Sequence, residues 1–466
     1  MKKIRLFICA FVAVCCCMPQ LSAQKYLNTP LPEAWTADSL LSVVSPADDS
    51  WWKTFGDTCL TALIDEAVDN NYDLLAAAKR IQVAKSMYNS ALAGYSPVIS
   101  AGADWVNNQT SGNLAPTSAD PTLARYLQAD LSVSWEIDLF GKVYFRAKES
   151  KEEYNATKEE YNAAMIALCS QLATNYITLR TYQTQMQVAE RHLLSQKAIL
   201  SITETRFNTG LASALDVAQA KSIYYATAAK VPELETTVSE CLNAIGILSG
   251  KIPWMLDAEL NISTFSAIPA SSTQMIPVSV PAEILRQRPD VRAAEKSIDA
   301  CASLVGATVA DWLPKFYVTG KIGVASQDFK NLFQEDKLYW QVAPAIKWNI
   351  FSGTALSGQI QEAKAKTEMA VNAYNNVVLN ALQEVDNSMV SYKHSISEKD
   401  AYAVAYEQAE LTFNLALDLY KKGLIEFQNV LDAQRNLLSY EEAKVMSEAN
   451  VSLSLVQLYL ALGGGY

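Results

Sequence analysis

"YLQADLSVSWEIDLF", Tyr126 to Phe140, decides the fold. Leu127, Ala129, Leu131, Val133, Trp135, Ile137 and Leu139 alternate with Gln128, Asp130, Ser132, Ser134, Glu136 and Asp138. Side chains on a strand point to opposite faces in turn, so the segment reads as a strand with one apolar and one polar face. Its thirteen residues from Leu127 to Leu139, at ~3.3 Å each and tilted by ~45°, cross ~30 Å, the depth of a bilayer hydrocarbon core. "YWQVAPAIKWNIF", Tyr339 to Phe351, repeats the alternation with Trp340, Val342, Ile346, Trp348 and Ile350 on one face. "VISAGADWVNNQ" and "KFYVTGKIGVASQ" supply shorter partners, giving expected hairpins over 98–140 and 315–351. Five of the nine tryptophans (105, 135, 312, 340 and 348) fall in or beside these segments, as in the aromatic girdles of membrane barrels. A soluble β-sandwich is the competing reading.

Four strands cannot close a barrel, since single-chain barrels begin at about eight. An open sheet would leave two unsatisfied edges in hydrocarbon. The chain is therefore expected to oligomerise: two copies would give a filled eight-strand barrel, three a twelve-strand barrel with a lumen.

The rest of the chain is written twice. A shift of 213 places Trp135 on Trp348, Glu149 on Glu362, Tyr161 on Tyr374, Gly210 on Gly423 and Val217 on Val430. A shift of 217 places Asp73 on Asp290, Lys79 on Lys296 and Pro97 on Pro314. The difference of four falls between the proline and the tryptophan, where a loop can absorb it. Each copy has a helical segment (61–94 or 282–311), two strands, and a long tract split by a glycine. Residues 142–209 and 359–422 contain neither glycine nor proline. Helices of that length extend roughly 100 Å at ~1.5 Å per residue and point to a coiled coil or tunnel; a soluble helical bundle is the plainer alternative.

The splitting glycines sit in "TRFNTGLASALDVAQAK" (205–221) and "LYKKGLIEFQNVLDAQR" (419–435). Gly210 and Gly423 suit the left-handed position that ends a helix. Ser213 and Asp216 read as a capping box starting the return helix, where the second copy has Glu426 and Asn429. Leu211 and Leu424 then lie on hairpin tips, either free for docking or folded back on their own stems.

The leader "MKKIRLFICAFVAVCCCMPQLSAQ" has a basic start, a short apolar run and small residues before Gln24, a secretory signal over 1–23. Cys15, Cys16 and Cys17 offer lipidation as the alternative, against which stands the bulky Val14. Without the leader, 35 basic residues face 49 acidic ones, about −14 in net charge, which disfavours a nucleic-acid partner. No CxxC pair, phosphate loop, nucleophile elbow or HExxH helix occurs, so no metal, no cofactor and no enzyme are expected. His192 and His394 read as solvated positions on long polar helices.

These motifs, with "LRQRPDVRAAE" (285–295), "WWKTFGDTCLTALIDEAVDNNYDL" near the start and "LYLALGGGY" at the end, resemble the TolC-type outer-membrane factors, and among them the OprM/NodT-like efflux branch. The resemblance covers nearly the whole mature chain. It implies a membrane α+β fold: a homotrimer with a twelve-stranded transmembrane barrel, four strands per chain, continued by an α-helical coiled-coil tunnel through the periplasm. It implies a domain plan of an extended N-terminal segment (24–60), repeat 1 (61–232), an inter-repeat equatorial segment (233–281) and repeat 2 (282–466). Its partners would be outer-membrane lipid, a periplasmic adaptor and, indirectly, an inner-membrane transporter of the resistance-nodulation-division kind. The tip motif carries onto Thr209, Gly210 and Leu211, and onto Lys422, Gly423 and Leu424. Asp432 stands where the family narrows the periplasmic aperture, with Arg435 one turn on as a latch partner. An ordinary solvent-facing i,i+3 pair is the residue-level alternative. The implied activity is passive small-molecule efflux. A type I protein-secretion channel keeps the same architecture, and a periplasmic coiled-coil scaffold has no pore.

Overall fold

The computed structural model describes residues 50–109, 123–255 and 286–464, with Leu27, Leu260, Ile268 and Pro269. The leader with Cys15, Cys16 and Cys17, most of 24–60 and much of 233–281 lie outside the described residues. The chain divides into two compact units, one of residues 79–158 and 293–374 and one of 1–78, 159–292 and 375–466. Among the described residues the helices are α1 (Thr58–Asn70), α2 (Tyr72–Leu92), α3 (Lys142–Asn208), α4 (Ala214–Leu248), α5 (Pro289–Ala310), α6 (Ala355–Lys421) and α7 (Phe427–Ala461). The strands are β1 (Val98–Gln109), β2 (Leu123–Ile137), β3 (Lys315–Ser326) and β4 (Leu338–Lys347).

The first unit holds one antiparallel sheet in the order β1-β2-β3-β4. Directly opposed residues share a face, so the register sorts the side chains. One face carries Ile99 to Trp105 of β1, Leu127 to Ile137 of β2, Phe316 to Val324 of β3 and Leu338 to Ile346 of β4, every second residue, and all of these are apolar or glycine. Toward the β1–β2 loop this face turns polar, where Arg125 Nε donates to Asn107 Oδ1 at 3.3 Å. The eleven residues Leu127–Ile137 carry the apolar face over ~36 Å of strand, a length that would stand ~25 Å tall at a tilt of ~45°. The opposite face is polar: Asp130 accepts from Gln128 Nε2 at 2.7 Å and pairs with Lys321 Nζ at 3.0 Å.

β2 stops two residues short of the Leu139 the alternation reached. Asp138 instead accepts the Tyr144 N–H at 3.0 Å, satisfying one orphan donor of the first turn of α3. β4 likewise stops at Lys347. Trp135 Nε1 donates to Tyr95 O at 3.1 Å, and Trp348 Nε1 to Trp312 O at 3.1 Å. These are one bond made twice, since the repeat shifts carry Trp135 to Trp348 and Tyr95 to Trp312.

The repeat is realised to the residue in the helices. α3 and α6 have 67 residues each, α4 and α7 have 35 each, and each pair is offset by 213. α6 begins before the glycine-free tract, with Gly358 in its first two turns. α4 continues through Pro232 to Leu248, so residues 233–248, expected in the inter-repeat segment, are helical. The helical segment 61–94 is two helices broken at Asn71; in its counterpart 282–311, Arg286 and Gln287 are helical and Arg288 interrupts the helix before α5 begins at Pro289.

In the second unit, Trp51 stacks on Tyr459 at 5.3 Å over a core that includes Leu60, Ile64, Leu172, Tyr176, Leu242 and Val456. Burial raises the Tyr176 phenol, which donates to Asp57 Oδ2 at 2.8 Å and accepts from Arg180 Nε at 3.1 Å. Asn71 Nδ2 donates to Leu248 O at 3.0 Å, while its Oδ1 accepts from the Leu74 N–H. Arg288, at the matching place in the second repeat, donates to Ala461 O at 2.7 Å and pairs with Asp290 and Glu384. Leu248 and Ala461 are also repeat equivalents, so each repeat fastens the end of its return helix to the residue just before α2 or α5.

Candidate functional site: the paired hairpin tips

Both tips lie in the second unit and close in the same way. Gly210 has φ +77° and Gly423 φ +74°, the left-handed region that glycine enters without Cβ strain. Leu211 N–H donates to Arg206 O at 2.7 Å and Gly210 N–H to Phe207 O at 2.9 Å. Leu424 N–H donates to Leu419 O, and Gly423 N–H to Tyr420 O, both at 2.9 Å. Each pair is a Schellman closure, 6→1 and 5→2. Thr209 Oγ1 donates to Thr205 O and Arg206 O, and Lys422 Nζ pairs with Asp418 at 2.6 Å. The capping box is formed at Ser213 and Asp216, whereas Glu426 caps without its side chain. Leu211 is 68% and Leu424 67% exposed, so neither is folded back on its stem.

The tips are joined by an arginine that sequence reasoning missed. Arg206 Nη1 donates to Tyr420 O at 3.0 Å and Lys421 O at 3.4 Å, and the guanidinium lies 4.7 Å from the centre of the Tyr420 ring. It thus caps the carbonyl end of α6, where a cation is favoured. The repeat offers Leu419 at the matching place, so the clamp runs one way. Behind it, Ile199, Phe413, Tyr420, Phe427, Val430 and Leu431 form a local apolar core.

Asp432 and Arg435 are both more than half exposed and 3.8 Å apart, a loose contact. The closer partner of Asp432 is Gln428, whose Nε2 donates to both carboxylate oxygens at 3.0 and 3.1 Å. Gln428 Oε1 in turn accepts from Gln219 Nε2 at 3.3 Å. Gln219 is the repeat counterpart of Asp432, so the amide of Gln428 links the two equivalent positions.

His192 departs from expectation. It is 6% exposed, with Nε2 2.7 Å from Glu441 Oε2, while Arg191 Nη2 lies 2.8 Å from Glu441 Oε1. A carboxylate between helices needs such partners, and the helix-face pattern around His192 gave no sign of an acid 249 residues away. His394 is exposed, as the sequence suggests.

Among the described residues no cluster of His, Cys, Asp and Glu could hold a metal ion. Burial pushes the Cys169 thiol up to about 12, so it is no nucleophile at neutral pH. Among the same residues no helix is long and apolar enough to cross a membrane.

The family model of the outer membrane efflux protein matches twice, over residues 63–251 and 280–464. The chain is 28% identical over its whole length to 98% of the solvent efflux pump outer membrane protein SrpC of Pseudomonas putida. It is 26% identical, over 94% of its length and 93% of the relative's, to the cation efflux system protein CusC of Escherichia coli O6:H1. Among solved structures, the outer-membrane channel OprN superposes with a TM-score of 0.87 at 27% identity, covering 94% of this chain and 98% of that one. The two matches begin 217 residues apart and end 213 apart, the same two shifts that relate the repeats, and together they show that the chain belongs to the outer membrane efflux protein family.

Proposed function

We propose that this protein is the outer-membrane exit channel of a tripartite efflux system in a Gram-negative bacterium, a passive duct for small molecules. The observation that carries the reading is the sheet: one face apolar over a band of membrane height, the other polar, and both edge strands unpaired among the described residues. Three copies pairing edge to edge give a twelve-strand barrel with a polar lumen and no edge left in lipid. The helical hairpins then form the periplasmic tunnel. The exposed Leu211 and Leu424, each on a rigidly closed tip, suit docking of a periplasmic adaptor, through which an inner-membrane transporter of the resistance-nodulation-division kind supplies energy. The named relatives serve solvents in one case and a cation in another, as fits a duct that leaves cargo choice to its partners. The family consists of efflux channels, and the chain is read as a transporter component without catalysis.

Asp432, one per copy, forms the acidic ring of the aperture, held by Gln428 as well as Arg435. Single channels in planar bilayers test this. Asp432→Ala with Arg435→Ala should raise conductance and weaken cation preference; unchanged conductance removes both from the aperture. A photo-reactive side chain at Leu424 in intact cells should capture an efflux adaptor. Capture of a secretion-system adaptor would move the cargo to proteins, and capture of only its own helices would end the docking role.

A further inference from the structure

The long helices of the second unit share two apolar cores with a polar layer between them. The upper core stops at Val188 of α3, Val238 of α4, Met389 of α6 and Val445 of α7. The tip core stops at Ile199, Ala220, Ala409 and Leu437 of the same four helices. Between Ala189 and Ile199 of α3, between Ala220 and Val238 of α4, and between Leu437 and Val445 of α7, the only buried residues are His192, Gln196, Thr227 and Glu441. α6 has no buried residue from 396 to 408. Every member of the layer is bonded to a neighbouring helix. Gln196 Nε2 donates to Thr227 Oγ1 at 2.9 Å, and the Glu441 carboxylate lies 2.7 Å from His192 Nε2 and 2.8 Å from Arg191 Nη2. Beside them Lys230 Nζ reaches both carboxylate oxygens of Glu442, at 2.7 and 3.0 Å. Within two turns of helix, α3, α4 and α7 are thus joined pairwise by polar bonds.

Nothing in the hairpin architecture requires this layer. The shift of 213 carries His192 to Ala405, Gln196 to Ala409 and Lys230 to Ala443, and Ala228 to Glu441. α4 also holds Pro232 two residues beyond Lys230, where the other return helix has Val445. Proline has no N–H to give, so Ala228 O lacks its helical donor. Helices that share one continuous apolar cluster open together, and a gap in the cluster divides them into separate cooperative units. Polar bonds across the gap fix direction and register while adding little net stability. We infer that this level is a pivot: the tip module, residues 193–227 and 406–440, opens as one unit against an upper stem that stays closed. The pivot belongs to the four helices of one chain, so it does not depend on the chain being a duct. For the duct proposed above, it puts the opening motion on the tip side of Glu441.

Hydrogen exchange read by mass spectrometry on the full-length protein in detergent tests it. Helical amides of the tip module should share one protection factor, at least about tenfold below that of residues 165–188 and 445–461, with the step falling at the polar layer. His192→Leu combined with Glu441→Leu joins the two cores, so the step should shrink as protection of the tip rises several-fold. Pro232→Ala, at an exposed position, restores the missing bond in α4 and should raise protection of residues 214–231 several-fold. This second variant decides the question if the double variant does not fold. A smooth fall in protection from the upper stem to Gly210 and Gly423, without a step, overturns the pivot. So does a step that neither variant moves. Single-channel conductance tests the duct separately, so failure of that reading and failure of the pivot are told apart.

Discussion

Replacing Arg206 with alanine should loosen the second tip by an amount the geometry allows to be worked out. The 3.0 Å bond to Tyr420 O comes from a charged donor and is worth about 1.5 kcal/mol; the 3.4 Å contact with Lys421 O adds little. Stacking over the Tyr420 ring at 4.7 Å adds about 0.5 kcal/mol at a half-exposed site. Against this, Arg206 Nε is buried without a partner, a cost of up to about 1 kcal/mol that the mutation relieves. The net loss is about 1–2 kcal/mol, and with tenfold per 1.4 kcal/mol the opening constant of the tip rises about 5- to 30-fold. Hydrogen exchange of the Gly423 and Leu424 amides reads this directly, because both are bonded in the Schellman closure and exchange through local opening. Their rates should rise by that factor in Arg206→Ala and by less in Arg206→Lys, while those of Gly210 and Leu211 change little. Equal rates in wild type and Arg206→Ala would falsify the clamp.

The two end-of-repeat fastenings differ in strength. Arg288→Ala, which strands Ala461 O and two carboxylates, should cost about 2–3 kcal/mol in thermal unfolding, and Asn71→Ala about 1–2 kcal/mol. Burial raises the Asp311 carboxyl, but Lys315 at 2.8 Å and Lys142 at 3.0 Å outweigh it and hold the group below the usual carboxylate range. A lowered value stabilises above the unfolded-state pKa and loses that effect as pH falls through the folded one. Asp311→Asn should therefore melt earlier than wild type at pH 7, with the gap closing below about pH 4. Cys169, with its thiol at about 12, should resist maleimide at pH 8 in the folded protein and react once it is unfolded. Trp135→Phe and Trp348→Phe each lose the same indole bond, so their stability losses should agree, at about 1 kcal/mol.

What could be read from the sequence was whatever obeys a local period. The strands showed themselves because a two-faced sheet forces alternation, and Gly210 and Gly423 because few other residues end a helix left-handed. The ends of β2 and β4 were not legible, since Asp138 fits the alternation and is drawn off it by the N–H of Tyr144. Arg206 was hidden by distance: its acceptors lie 214 and 215 residues on. The available signal was a mismatch, an arginine set against Leu419 inside otherwise matching tips. Asn71 and Arg288 were visible in principle, because the same two shifts that align them also align Leu248 with Ala461. His192 carried no such mark, and only tertiary packing places Glu441 beside it.

Each repeat binds its own end to its own beginning, so each is closed on itself. Cutting the chain between residues 256 and 285 would sever neither Asn71 from Leu248 nor Arg288 from Ala461. Of the sheet pairings, only β2 with β3 would change from a contact within one polypeptide to a contact between two. Each half of the chain holds a helix leading into its sheet, one β-hairpin and one long helical hairpin. The present chain reads as two such units joined, which differ where Arg206 stands against Leu419 and Asp432 against Gln219.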